Sequence, residues 1–173
     1  MIKYIKGDAT SPSGDGRKII AHVCNDIGGW GRGFVLSLSQ RFPTAEHAYR
    51  RWAQEDVPPG QAGSALPFKL GEVQLVKVDD VSEIYVANMI GQHGIFPDGG
   101  VPPIRYDSLE KCLRVVRACA RVLNASVHMP RIGCGLAGGK WSEVEPIIER
   151  ALEGVETYVY DFDTGDARTV PWK

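Results

Sequence analysis

Apolar and polar positions fall along this chain in short blocks that can be read one at a time. "IKYI" near the start alternates and predicts a first strand, closed by the turn pair Gly7-Asp8. "SPSGDG" (11–16) is turn chemistry, and "KIIAHVC" (18–24) is a continuous apolar run bounded by turns, the pattern of a buried strand. After Gly33, "FVLSLSQRF" has helical spacing and stops before Pro43. Thr44 is placed to cap a second helix, "AEHAYRRWAQE". A Pro/Gly-rich connection at 56–71 leads to two β-rich runs, "GEVQLVKVD" (71–79) and "EIYVANMI" (83–90). "GQHGIFPDGGVPP" (91–103) is too rich in Gly and Pro for regular structure, and long loops of that kind often carry function.

The clearest helix is "YDSLEKCLRVVRACARVLNA" (106–125), with Leu109, Cys112, Leu113, Val116 and Ala120 on one stripe. A strand at "SVHMPRI" (126–132) follows. "WSEVEPIIERALEG" (141–154) is a helix expected to begin at Ser142, with Glu145 completing a capping box. "VETYVYDF" (155–162) is the last strand, and about 163–173 is a polar tail. Strands alternating with helices predict an α/β fold: a three-layer α/β/α sandwich around a central mixed sheet, one domain over 1–173. In such sheets, ligands bind beyond the C-terminal strand ends.

Composition narrows the partners. The 173 residues carry a net charge of −1, so no global field draws the chain to nucleic acid or an anionic membrane. No apolar run approaches the ~20 residues that span a bilayer, and "MIKYIKGD" is no signal peptide, so the cytosol is the expected compartment. The four cysteines form no CxxC pair and no zinc-finger spacing. Cys112 and Cys119 read as apolar helix positions. A Cys24–Cys134 disulfide is left open by the sequence, although a reducing cytosol argues against it. No spacing supports a metal site built on His22, Cys24 and Cys134.

Two stretches stand apart. "AHVCNDIGGWGRGF" (21–34) and "MPRIGCGLAGGKW" (129–141) each run from a strand through clustered glycines toward a helix. Such a unit offers bare backbone N–H groups near a helix N-terminus, which suits phosphate. Neither contains the P-loop pattern GxxxxGK[ST], and "GGWGRG" lacks the GxGxxG spacing. Two of them on one rim suit a ligand with two phosphates, or a phosphate beside a ribose.

With "YIKGDAT" and "TYVYDF" at the two ends, these stretches make the chain resemble the macrodomain family, the ADP-ribose-binding α/β fold, over nearly its whole length. The first glycine stretch is similar to the yeast-type ADP-ribose 1″-phosphate phosphatase branch. The second resembles macrodomains that remove terminal ADP-ribose from glutamate. The resemblance implies that Asp8 accepts from the adenine amino group with the Ala9 backbone alongside, and that Phe162 packs on the adenine ring. It implies a diphosphate loop of Gly133, Cys134, Gly135, Leu136, Ala137 and Gly138. It also implies a distal-ribose loop of Gly29, Trp30, Gly31, Arg32 and Gly33. Each assignment has a plainer rival: a turn aspartate for Asp8, core filling for Phe162, packing for Trp30.

For catalysis the resemblance points to His22 as general base or acid, Asn25 orienting the sugar, and Asp26 assisting a water. A satisfied core histidine and a turn asparagine are the competing readings. The lysine-dependent hydrolases place a lysine after the central strand and an acid directly after "GCGL". This chain has "ANMIGQHG" (87–94) and Ala137 there, so that chemistry is not expected. Gln92 and His93 are the polar residues left on the 91–103 loop, reaching either the distal ribose or water. The implied function is binding of ADP-ribose and hydrolysis of the phosphate of ADP-ribose 1″-phosphate. The alternatives are a non-catalytic reader of ADP-ribosylated partners and a hydrolase that removes ADP-ribose without the lysine. The expected state is a monomer that needs no cofactor and no metal.

Overall fold

The computed structural model describes residues 1–55 and 66–162. The tail expected at about 163–173 and most of the 56–71 connection lie outside the described residues. Six strands make one sheet: β1 (Ile2–Lys6), β2 (Lys18–Asn25), β3 (Val73–Asp79), β4 (Ile84–Gln92), β5 (Ser126–Met129) and β6 (Thr157–Asp161). Four helices accompany them among the described residues: α1 (Phe34–Arg41), α2 (Pro43–Gln54), α3 (Tyr106–Leu123) and α4 (Trp141–Ala151). The sheet order is β1-β6-β5-β2-β4-β3, and every neighbouring pair is parallel except β3 with β4. The sheet is therefore mixed, and with helices on both faces it forms a three-layer α/β/α sandwich.

β2 and β4 are apolar on both faces because both faces are covered. On one side, Ile19, Ala21, Ala87 and Met89 pack with Leu109, Leu113, Val116, Val144 and Ile148 from α3 and α4. On the other, Ile20, Cys24, Val86 and Ile90 pack with Leu38, Ala45, Tyr49 and Trp52 from α1 and α2. The chain leaves β2 toward the α1/α2 side and leaves β5 toward the α4 side. β2 and β5 are neighbours in the sheet, so their exits diverge and open a crevice between them. Each is followed by one of the glycine-rich loops.

Two expected helix caps are not formed. α2 starts at Pro43, one residue before Thr44, because proline at the first helical position gives up no usable N–H; Phe42 sits at the cap without a side-chain bond. α4 starts at Trp141 with Lys140 at the cap, so Ser142 lies inside the first turn and no Ser142–Glu145 box forms. The entry to α4 is fixed instead by the Lys140 N–H donating to the Tyr106 hydroxyl at 3.1 Å. β5 is shorter than expected, ending at Met129 before Pro130, whose nitrogen cannot join a ladder.

Candidate functional site

A cavity of about 540 Å³ opens at the C-terminal strand ends, between the loops that follow β2 and β5. Of the residues singled out from sequence, His22, Asn25, Gly29, Trp30, Gly31, Arg32 and Gly33 line one side. Gly133, Gly135, Leu136 and Ala137 line the other. The structure does not bring Asp8, Ala9, Asp26, Cys134, Gly138 or Phe162 to this lining. The Asp8 carboxylate accepts from the Thr10 N–H and hydroxyl, both at 2.8 Å, as a turn aspartate does. Ala9 is buried, and Phe162 is half-buried just past the end of β6. Burial pushes the Cys134 thiol up to about 11, so it is not a ready nucleophile at neutral pH.

The first loop is held by side chains. The Asn25 Oδ1 accepts from the N–H groups of Ile27 (3.1 Å) and Gly29 (2.9 Å), and its Nδ2 donates to the Gly29 carbonyl at 2.9 Å. The buried Tyr49 hydroxyl donates to the Asn25 carbonyl at 2.7 Å. Asn25 is thus a loop organiser with one amide hydrogen left for a ligand. Trp30 is buried beneath the loop, and its Nε1 donates to Ser39 Oγ at 2.6 Å. Ser39 donates to Glu46, Glu46 accepts from Arg50, and Arg50 donates back to the Trp30 carbonyl at 3.2 Å. That closed ring ties the loop to α1 and α2. Gly33 then begins α1 with φ 85° and ψ −149°, a backbone region open essentially to glycine. No side chain caps the helix, and Gly33, Phe34 and Val35 face the cavity. A helix start of this kind presents free N–H groups that favour an anion.

The second loop is held by its own backbone. The Gly139 N–H donates to the Gly133 carbonyl at 2.8 Å, the Gly138 N–H to Gly135 at 3.0 Å, and the Ile104 N–H to Ala137 at 3.0 Å. A Cβ on Gly139 would collide with the Gly133 oxygen, and one on Gly138 would stand 2.8 Å from Pro102 Cβ. Glycine is required here by close approach of backbone to backbone.

His22 is in the cavity wall, yet it is 2% exposed and belongs to a polar ladder within the core. Its Nε2 meets Asn88 Oδ1 at 2.5 Å; Asn88 Nδ2 donates to Ala45 O and Gln74 Oε1, and Gln74 Nε2 donates to Ala48 O. Because the Asn88 amide is used as donor toward α2 and β3, its oxygen must accept, and the proton of neutral His22 sits on Nε2. Burial lowers this imidazole from 6.5 to about 4. The ring packs edge-on against Trp30 with centroids 5.2 Å apart. A group with that value is a poor match for proton transfer at neutral pH. The core reading of His22 is the one its contacts favour.

Asp26 follows Asn25, the last residue of β2, in a bend, and it is not part of the cavity lining. Its carboxylate accepts from the Gly94 N–H at 2.8 Å and meets His93 Nδ1 at 2.7 Å. Sequence reasoning missed the other cations of the wall, Arg50 and Arg131. Arg131 is bidentate to Asp161 at 2.6 and 2.8 Å, and this pairing holds the carboxyl below its usual range. Also missed were Ile95 and Phe96 at the mouth, the latter 75% exposed. An apolar pair inside a Gly/Pro loop was the available signal.

Among the described residues, no three His, Cys, Asp or Glu side chains gather where a metal could sit, and no helix is long and apolar enough to cross a membrane. All four cysteines are free thiols, which closes the question of a Cys24–Cys134 bridge in this structure.

No protein-family model matches the chain. An ADP-ribose 1″-phosphate phosphatase of Saccharomyces cerevisiae is 42% identical over 182 aligned positions, covering 92% of this chain and 97% of that protein. A mouse chromodomain-helicase-DNA-binding protein 1-like is 31% identical over 176 positions; the chain spans 18% of its length. Among solved structures, a macrodomain protein from Streptomyces coelicolor superposes with a TM-score of 0.78 at 49% identity, covering 93% of this chain and 99% of that one.

Proposed function

Because the chain belongs to the macrodomain family, we propose that it binds ADP-ribose and releases inorganic phosphate from ADP-ribose 1″-phosphate. The observation that carries the reading is the cavity itself: two glycine loops and the start of α1 converge on one space lined by Arg32, Arg50 and Arg131. A diphosphate needs dense N–H donors without intervening side chains, together with nearby positive charge. In this assignment Gly133 to Ala137 and the start of α1 hold the diphosphate. Gly29 to Gly33 and the remaining Asn25 amide hydrogen face the distal ribose. The adenine lies toward Arg131 and the β6 end, with Asp8, Ala9 and Phe162 beyond the cavity as the outer adenine wall. N–H groups that already hold the ground-state phosphates also stabilise charge that develops as the ester bond breaks.

His22 serves in this reading as a neutral wall that orders Trp30, not as a proton carrier. Four free thiols suit a reducing compartment, and we place the protein in the cytosol as a monomer. Calorimetry with ADP-ribose and a phosphate-release assay on ADP-ribose 1″-phosphate test the proposal together. Binding with turnover is expected. Binding without turnover of this ester would make the protein a reader of ADP-ribosylated partners, and release of free ADP-ribose from a modified macromolecule would make it a hydrolase of that linkage. Failure to bind ADP-ribose would remove the assignment.

A further inference from the structure

Three arginines line the cavity, and among the described residues no aspartate or glutamate joins them there. Two of the three are committed to neighbours. Arg50 donates from Nε to Glu46 at 2.9 Å and from a terminal nitrogen to the Trp30 carbonyl at 3.2 Å. Arg131 is bound through two nitrogens to Asp161, and its guanidinium lies over the Tyr4 and Trp141 rings, 5.3 and 4.9 Å from their centroids. Arg32 differs. Its side chain makes no hydrogen bond, ion pair or ring contact among the described residues, although it lines the same cavity. It is exposed and stands between Gly31 and Gly33. A Cβ on Gly31 would meet nothing within 4 Å, so the neighbouring backbone leaves the Arg32 guanidinium room to reach over the opening. Gly33, the next residue, begins α1 and faces the same space.

Resting on the reading of this cavity as the ADP-ribose site, with the distal ribose at Gly29 to Gly33, we propose that Arg32 takes the phosphate on the 1″ oxygen. It is then the residue by which the site prefers ADP-ribose 1″-phosphate to ADP-ribose. The 1″ oxygen belongs to the distal ribose, and Arg32 is the charged residue of the loop assigned to that ribose. The two ligands differ only in a phosphate monoester, which adds roughly 1.5 to 2 negative charges near pH 7. Backbone N–H groups supply donors but no net charge, and the Arg50 and Arg131 cations are each offset by a carboxylate. A guanidinium without a carboxylate partner supplies the missing charge, and its planar fork matches two phosphate oxygens at once. The same arrangement favours turnover. Once the monoester is cleaved, ADP-ribose keeps only the contacts that both ligands share, so Arg32 adds nothing to retention of the product.

The test measures kcat/KM for phosphate release from ADP-ribose 1″-phosphate, and ADP-ribose affinity by calorimetry, on wild type, Arg32→Gln and Arg32→Lys. Arg32→Gln is expected to lower kcat/KM about 30-fold while ADP-ribose affinity stays within about twofold, because a charged contact is lost for one ligand only. Arg32→Lys keeps the charge without the fork and should lose about fivefold. A kcat/KM of Arg32→Gln within about twofold of wild type overturns the role of Arg32. So does an equal loss of kcat/KM and of ADP-ribose affinity, which marks a residue that only shapes the loop. Either result leaves the phosphatase reading intact. If wild type binds ADP-ribose without turnover, that reading falls, and the preference is read from the two dissociation constants in calorimetry. Tighter binding of the phosphorylated ligand that Arg32→Gln removes keeps the assignment of Arg32, and equal affinities overturn it. No binding of ADP-ribose by wild type overturns the site and the inference together.

Discussion

Two histidines are folded into the core as neutral rings, and that gives the protein an acid sensitivity of calculable size. His22 and His128 are both buried, and both are lowered from 6.5 to about 4. Burial is the main cause in each case, and the Lys18 ammonium adds to it at His128. His128 is satisfied as a neutral ring, with Nδ1 2.8 Å from the Tyr160 hydroxyl and Nε2 2.8 Å from Ser126 Oγ. Because these groups titrate lower in the folded than in the unfolded chain, the unfolded chain binds more protons as pH falls. Their contribution is complete above about pH 6.5 and is lost as pH falls toward 4. Between pH 7.5 and 4.5 each ring should remove roughly 2.5 kcal/mol, about 5 kcal/mol together, against a typical total of ~5–15 kcal/mol. Stopping at about pH 4.5 limits the part played by paired carboxylates such as Glu110, held at about 2 chiefly by Arg150 and then Arg114, because their contribution only begins to fall near the unfolded value of 4.5. Urea unfolding followed by tryptophan fluorescence across this range reads the effect directly. His22→Gln and His128→Gln should each remove about half of the slope. A wild-type stability constant to within ~1 kcal/mol over that range would refute the reasoning, as would single variants that keep the whole slope.

Three further outcomes follow from the same contacts. Gly139→Ala should weaken ADP-ribose binding at least about tenfold in calorimetry, because its Cβ collides with the Gly133 carbonyl and forces the loop open. Trp30→Phe removes the Nε1 donor to Ser39 and should cost about 1 kcal/mol in urea unfolding. Asn88→Ala leaves the His22 Nε2–H and Gln74 Oε1 without partners in the core; at ~1–3 kcal/mol each, a loss of about 3 kcal/mol is expected, and a loss under ~1 kcal/mol would dissolve the ladder as a stabilising element.

The elements were legible wherever burial imposes a period. β2 shows as an unbroken apolar run because Ile19 and Ala21 face one core while Ile20 and Cys24 face the other. α3 shows as a stripe because Leu109, Cys112, Leu113, Val116 and Ala120 are its buried face. The two glycine loops were legible as a pair because each follows a strand directly, and both line the same cavity. Less was legible where tertiary contacts choose among local options. Thr44 and Ser142 are sound cap residues by type, but Pro43 and the Tyr106–Lys140 bond set the helix starts elsewhere. Asn25 and Asp26 are adjacent and chemically alike, and only the folded chain decides that one lines the cavity and the other meets His93. Arg50 reaches the wall from α2, about 20 residues after Trp30, and no local motif marks such a contact.

The two loops reach similar ends by opposite means, and the difference predicts where each tolerates change. The loop after β2 is shaped by side chains: Asn25 gathers its N–H groups, Tyr49 fixes Asn25, and the Trp30–Ser39–Glu46–Arg50 ring anchors its far end. Its shape is therefore exposed to conservative substitution at Asn25, Tyr49 and Trp30, which are buried, and less so at Arg50, which is exposed. The loop after β5 has its shape fixed by backbone bonds among Gly133, Gly135, Gly138 and Gly139, with the Ile104 N–H docking to Ala137. Leu136 is exposed, so its side chain is the free variable there, whereas Ala137 is buried in the core and held through its carbonyl.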